Sequence, residues 1–261
     1  MTHILLTNDD GIQSPGLHAL KSALDDFATV SVIAPDRNRS AIARGITIHA
    51  PLHVEERTLP DGSPAFATDG TPVDCVRFAA LGLVGRHPDM VVSGVNLGLN
   101  LGDDVTYSGT VAAALEGLML GLPAIAVSQE YGGPEGERHN GEHYDFSAVA
   151  AEVRRLAELV SSSGFPTEVM LNVNAPIGQS GVVPEVRASR LGRRIYNDEL
   201  TLEHAEGPRR RYTIYSDSPS HHPEPGTDFE AIEAGAISVT PLHFSLTAAD
   251  HLPTLRTLLE R

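Results

Sequence analysis

The amino-acid sequence predicts an α/β protein built on a mostly parallel sheet, and three observations carry that prediction. Strand-like and helix-like patterns alternate along the first half of the chain. The hydrophobic share of 41% comes without Trp and is rich in Ala, Val, Leu and Gly, which suits parallel strands covered by helices better than an aromatic-rich sandwich. Three polar clusters each follow an apolar, strand-like run: Asn8-Asp9-Asp10-Gly11 after HILLT, Asp36-Arg37-Asn38-Arg39-Ser40 after VSVIAP, and Ser93-Gly94-Val95-Asn96 after PDMVV.

Taken in order, HILLT reads as a strand, LHALKSALDDF as a helix with apolar residues at helical spacing, and TVSVIAP as a second strand. The spacing then predicts a helix over 72–84: Thr71 can cap it, Pro72 fits the first helical position, and Asp74 completes an S/T-x-x-D pattern. MVVSGV is a strand. NLGLNLGDDVTYSGT is rich in Gly and Asn and leads into VAAALEGLMLGL, a helix whose small residues allow close approach to a sheet. AIAVS is the next strand, and the polar, Gly-rich segment from Tyr131 to Tyr144 reads as a surface loop. FSAVAAEVRRLAELVSS is a helix and VMLNVNAP a strand. From 177 to 234 the alternation stops, and short β-like pieces such as RRRYTIYS stand among Gly, Pro and Arg. Too few apolar residues fall here for a separate core, so the segment is expected to be an extended, hairpin-rich arm that finds its burial on a partner subunit. AISVTPL returns as a strand and HLPTLRTLLER ends as a short helix. The expected organisation is thus a core over 1–176, an arm over 177–234, and a return strand and helix over 235–261, with no internal repeat.

With 261 residues and a formal net charge of -15, the chain would repel nucleic-acid backbone and anionic lipid over most of its surface. No polymeric nucleic acid and no membrane are expected as partners. A small anionic substrate needs a local positive centre, which a bound divalent cation supplies. The single cysteine, Cys75, excludes an internal disulfide framework and a Cys-based zinc site, and its apolar surroundings predict a buried, inert thiol. No basic leader precedes the first strand, and no uncharged run approaches the roughly 20 residues of a membrane span. The expected location is the cytoplasm.

In an open parallel sheet the carboxyl ends of neighbouring strands converge on one edge, so the three polar clusters read as one site in three pieces. Asp9 and Asp10 are its sharpest element. Adjacent carboxylates at a strand end repel unless a cation or proton is shared, and turn chemistry explains only one of them and Gly11. With Ser40 and Asn96, which follow neighbouring strands, they form a hard-oxygen set suited to Mg²⁺, Mn²⁺ or Ca²⁺. Tyr107-Ser108-Gly109-Thr110 precedes a helix, where free N–H groups and the helix dipole make an anion site, although plain N-capping explains the same residues. Arg37 and Arg39 either face a phosphate or solvate a loop. Gly94, Gly98 and Gly102 do not spell a dinucleotide fingerprint, and no P-loop occurs. His139, His143, His221 and His222 lie in Gly- and Pro-rich stretches and are expected to be surface groups rather than ligands.

The strings TNDDGI, DRNRSA, GTPVDCV, PDMVVSGVNLGLNLGDDVTYSGTV, PAIAVS, LNVNAP and SVTPL together resemble the SurE family of survival-protein nucleotidases, in order and through most of the chain. The resemblance implies a Rossmann-like core with helices on both faces, assembled as a homodimer or homotetramer. It also implies a phosphatase that uses one divalent cation per subunit, Mg²⁺ or Mn²⁺, on nucleoside 5′- and 3′-monophosphates, in some members with exopolyphosphatase activity. The family's metal ligands fall on Asp9, Asp10, Ser40 and Asn96, its active-site asparagine on Asn8, and its phosphate-contacting turn on Ser108, Gly109 and Thr110. Two departures stand out: Ala41-Ile42-Ala43-Arg44-Gly45 replaces a common G-A-S-N-S, and Ala112 replaces a common Gly. The expected chemistry is attack on phosphorus by a metal-activated water, with Asp9 orienting that water or accepting its proton.

Other classes fit less well. A receiver-like signalling module needs a phosphoacceptor aspartate after its third strand and a later lysine, where this chain offers Ser93 and Asn96. A haloacid-dehalogenase-type phosphatase spaces its aspartates D-x-D. A catalytically silent metal- and nucleotide-binding sensor remains compatible with the residues.

Overall fold

The computed structural model describes residues 1–131, 144–163, 165–178, 181–214 and 220–260. In chain order the elements are β1 (His3–Thr7), α1 (Pro15–Asp25), β2 (Thr29–Pro35), β3 (Val54–Thr58), β4 (Pro64–Thr68), α2 (Pro72–Ala80), β5 (Met90–Leu97), α3 (Gly109–Met119), β6 (Ala124–Gln129), α4 (Ser147–Ser163) and β7 (Met170–Ala175). There follow β8 (Val186–Ala188), β9 (Arg194–Ile195), β10 (Thr201–Glu206), β11 (Arg209–Thr213), β12 (Ser220–His221), α5 (Asp228–Glu233), β13 (Ile237–Leu242) and α6 (Leu252–Leu259). Single 3₁₀ turns lie at Gly102–Thr106 and Ala249–His251.

The main sheet runs β3-β4-β2-β1-β5-β6-β7-β13-β8. From β4 to β7 every pairing is parallel, whereas β3 and β13 run antiparallel to their neighbours β4 and β7. Alternate residues of each strand feed opposite faces. Ile4 and Leu6 of β1 join α1 and α4 in one apolar core, and Leu5 joins α2 and α3 in the other. The fold is therefore Rossmann-like, with helices on both faces. α2 starts as expected: the Thr71 side chain accepts from the Asp74 N–H, and the Asp74 carboxylate accepts from the Thr71 N–H, a reciprocal capping box. It stops at Ala80 rather than 84, and the chain turns through Gly82 and Gly85.

Three differences from the sequence reading have physical reasons. The β3–β4 hairpin was not anticipated, because VEERT is almost wholly exposed and shows no apolar alternation. β5 continues past the polar cluster to Leu97, with its register to β6 shifting between Ser93 and Asn96, so that cluster is the end of a strand and not a loop after it. The segment 177–234 is not extended throughout: β8 pairs parallel with β13 at the sheet edge, and α5 buries Phe229 and Ala231. Among the described residues of the segment, only the β10–β11 hairpin is exposed along both strands. α6 likewise has no buried residue.

Candidate active site

β1 lies between β2 and β5, and the chain leaves it toward β2 before crossing back to the other side. That reversal puts a topological switch point at the carboxyl ends of β1 and β5, the place of the ligand-binding crevice in sheets of this kind. The Asn8 amide closes the turn after β1 on itself, donating to the Gly11 carbonyl at 3.0 Å and accepting the Gly11 N–H at 3.1 Å. Gly11 has φ 102°, and a Cβ there would meet the Arg37 carbonyl carbon at 3.0 Å. The absent side chain lets the loop after β2 lie against the turn.

Asp9 is buried, and α3 and the loop after β2 meet on it. The Thr110 hydroxyl donates to Asp9 Oδ1, the Arg39 N–H donates to the Asp9 carbonyl at 2.7 Å, and Gly109 packs against the carboxylate. Burial raises the Asp9 carboxyl above its ordinary value, while the Thr110 hydroxyl and the N–H groups of Thr110 and Gly109 pull it back. Asp10 Oδ1 accepts from Asn38 Nδ2 at 3.1 Å, and Asp10 Oδ2 from the Leu97 N–H at 3.0 Å, so this carboxylate joins the loop after β2 to the end of β5. Asn96 is buried beside it and donates from Nδ2 to the Gly98 carbonyl at 2.7 Å, leaving Oδ1 as its acceptor. Ser40 lies on the exposed rim, its N–H donating to Asn38 Oδ1 at 2.8 Å.

Ser108 caps α3, its Oγ accepting from the Val111 N–H at 3.1 Å. Capping and anion binding are compatible, since capping uses the oxygen and leaves the hydroxyl proton to donate. The Thr110 hydroxyl proton is given to Asp9. The Gly-rich run before this cap is pinned from the far end of the chain. The buried Asp228 carboxylate accepts from the Gly102 and Gly192 N–H groups, each at 2.8 Å, and burial raises it as well. Asp104 accepts from Arg194 Nε and from the Tyr196 hydroxyl, both at 2.8 Å. Asn100 joins β6 and β7, its Nδ2 donating to Ser128 Oγ at 2.7 Å and its N–H to Asn174 Oδ1 at 2.8 Å.

Asn38, Leu97, Asn100 and Asp228 were not singled out in the sequence. Asn38 stands within a named cluster and could have been; Asp228 lies far along the chain with no local signal. The remaining tempting groups turn elsewhere. Arg39 Nη2 lies on the Asp69 carbonyl, and Arg37 is exposed beside Asp36. Cys75 is fully buried, and burial pushes its thiol up to about 12. His221 is half-buried rather than a surface group: it stacks on Phe229 with ring centroids 4.4 Å apart and bonds Glu233 at 2.8 Å. His139 and His143 lie outside the described residues.

Among the described residues no three His, Cys, Asp or Glu side chains converge as a metal cluster. A cation here would draw on two carboxylates plus hydroxyl and amide oxygens. That all-oxygen set fits Mg²⁺ or Mn²⁺ and not zinc. Asp9 supports the fit, because it is a desolvated carboxylate with no basic side chain paired to it among the described residues.

The profile of the family described as Survival protein SurE matches residues 4–198. The chain is 49% identical over 255 residues to the 5′-nucleotidase SurE of Rubrobacter xylanophilus, covering 97% of this chain and 96% of that protein. To the 5′-nucleotidase SurE of Chloroflexus aggregans it is 48% identical over 254 residues, covering 97% and 98%. The crystal structure of the SurE protein from Aquifex aeolicus superposes with a TM-score of 0.80 at 35% identity, covering 98% of this chain and 99% of that one.

Proposed function

The chain belongs to the SurE family and is a 5′-nucleotidase, and from that premise we propose that it hydrolyses nucleoside monophosphates with one divalent cation held by Asp9, Asp10, Ser40 and Asn96. One observation carries this reading: the buried Asp9 carboxylate, with Asp10 next to it, abuts the N-terminus of α3 at Gly109 and Thr110. A carboxylate pair beside an anion-binding helix end joins the two halves of a phosphate site. When bound, the cation, Mg²⁺ or Mn²⁺, supplies Lewis acidity toward water and the phosphoryl oxygens.

The chain's own residues do the rest. The Ser108 hydroxyl holds a phosphoryl oxygen at the helix end, where the dipole favours its charge, and the Gly109 and Thr110 N–H groups, aimed at Asp9, add positive character at the same spot. Asp9, kept in orientation by the Thr110 hydroxyl, accepts the proton of the attacking water. Asn8 acts by holding the turn that carries both aspartates, not by touching substrate. Activity on 3′-monophosphates and on polyphosphate, and residence in the cytoplasm, belong to the same reading. A homodimer or homotetramer is part of it too, supported by the exposed Leu202 and Tyr212 of the β10–β11 hairpin and by the unburied leucines of α6.

Turnover of nucleoside 5′-monophosphate should vanish on chelation and return with Mn²⁺ or Mg²⁺. Binding without turnover would favour a silent sensor instead. Single-turnover hydrolysis in ¹⁸O-water should label the released phosphate; label appearing first in the Asp9 carboxylate would make Asp9 the nucleophile.

A further inference from the structure

The loop from Ser40 to Thr47 joins the rim of the crevice to the far side of α3, and its backbone is held in conformations it would not choose alone. Ala41 and Ala43 have φ of 59° and 53°, in the left-handed region where a Cβ crowds the following carbonyl. Such geometry persists only where the surroundings over-determine it. Here the Ala43 N–H donates to the Tyr107 carbonyl at 3.1 Å, directly before the Ser108 cap. The Gly45 carbonyl accepts the Thr71 hydroxyl at 2.8 Å, and Asp74 accepts the Thr47 N–H at 3.1 Å and the Thr47 hydroxyl at 2.8 Å.

Between these ties stands Arg44. Its Nη2 pairs with Glu116 Oε2, and its guanidinium carbon lies 4.7 Å from the Phe244 ring centroid. Glu116 is a charged residue of α3 with 1% of its surface exposed. Its other oxygen pairs with Arg77 of α2. A buried carboxylate needs compensation, and one arginine from a neighbouring helix already supplies charge. The second comes from the loop, and it fixes a strained segment to the same helix whose N-terminus forms the phosphate turn.

We propose that Arg44 and Glu116 are positioning residues that hold the 40–47 loop against the Tyr107–Thr110 turn, so that the rim and the phosphate turn keep one geometry. The proposal rests on the reading of that turn as the phosphate cradle. Arg77 provides the control: it shares Glu116 but carries no part of the loop.

The test compares Arg44→Met, Arg77→Met and Arg44→Lys in the full chain by hydrogen exchange and by steady-state kinetics with a nucleoside 5′-monophosphate and Mn²⁺. In Arg44→Met the Ala43 amide should lose protection while the amides of α3 keep theirs. Its kcat/KM should fall roughly tenfold to a hundredfold, as misplacement of a site by about 1 Å does. Arg77→Met should leave the Ala43 amide protected and turnover within about twofold, since a lost partner-only charge does not move the rim. Arg44→Lys, which keeps a cation for Glu116, should restore most of the protection. Equal losses in Arg44→Met and Arg77→Met would mean that Glu116 only needs charge, and would overturn the proposal. An Ala43 amide still protected in Arg44→Met would also overturn it. Absence of turnover in the unsubstituted protein would instead sink the functional reading, whatever the exchange pattern.

Discussion

A Cβ added to Gly109 would come to 2.8 Å of both the Cβ and the Oδ2 of Asp9. The first residue of α3 and the first carboxylate of the site are therefore packed so that nothing larger than a hydrogen fits between them. Gly109→Ala should favour the helix by propensity, up to about 1 kcal/mol, yet push Asp9 out of register. The expected result is a thermal midpoint changed by a few degrees at most and kcat/KM lowered roughly a hundredfold. Retained turnover would show that Asp9 does not need its present position.

Asp10→Asn replaces one acceptor oxygen with a donor that faces either Asn38 Nδ2 or the Leu97 N–H. The turn itself is held by Asn8 and should survive. Titration calorimetry should find Mn²⁺ binding lost and turnover lost with it. Unchanged Mn²⁺ affinity would remove Asp10 from the site.

The Cys75 thiol keeps its proton up to about 12 in the folded chain, against 9.0 when unfolded. Its contribution to stability is therefore full below the unfolded value and is lost as pH rises from there toward the folded one, by about 1.4 kcal/mol per unit. Urea unfolding should show Cys75→Ala losing less stability than the unsubstituted protein between neutral pH and about pH 10. A thiol reagent should react only after unfolding.

Leu202 and Tyr212 face each other across the β10–β11 hairpin and are exposed. If the hairpin finds its burial on a second copy of the chain, replacing both by Ser should lower the mass seen by light scattering without changing the far-ultraviolet dichroism. A variant of unchanged mass would move the interface elsewhere, with α6 the next surface to test.

The parallel sheet was legible because its strands are short apolar runs ended by polar clusters, and buried strands between helices have to look like that. Asp9, Asp10 and the Ser108–Thr110 turn were legible for a related reason: their chemistry is local, with two charges in sequence or a hydroxyl before a helix. What the sequence hid depends on long-range closure. Asp228 meets Gly102 across more than a hundred residues, and Glu116 looks like an ordinary helix-surface carboxylate until two arginines enclose it. The β3–β4 hairpin was hidden for the opposite reason: an exposed edge strand needs no apolar pattern. The bond from Thr110 to Asp9 was hidden as well, since residue type says that a hydroxyl donates and not to what.

The strand that covers β7 is β13, whose last residue is Leu242, while β7 itself is complete at Ala175. During synthesis from the N-terminus, the parallel strands and their helices are therefore available well before the residues that close the sheet. For that interval β7 offers a bare row of backbone donors and acceptors, a template for pairing with other nascent chains. Shortened chains ending before Ile237 would keep every candidate site residue and still carry that open edge, so their failure would show as aggregation and not as loss of chemistry.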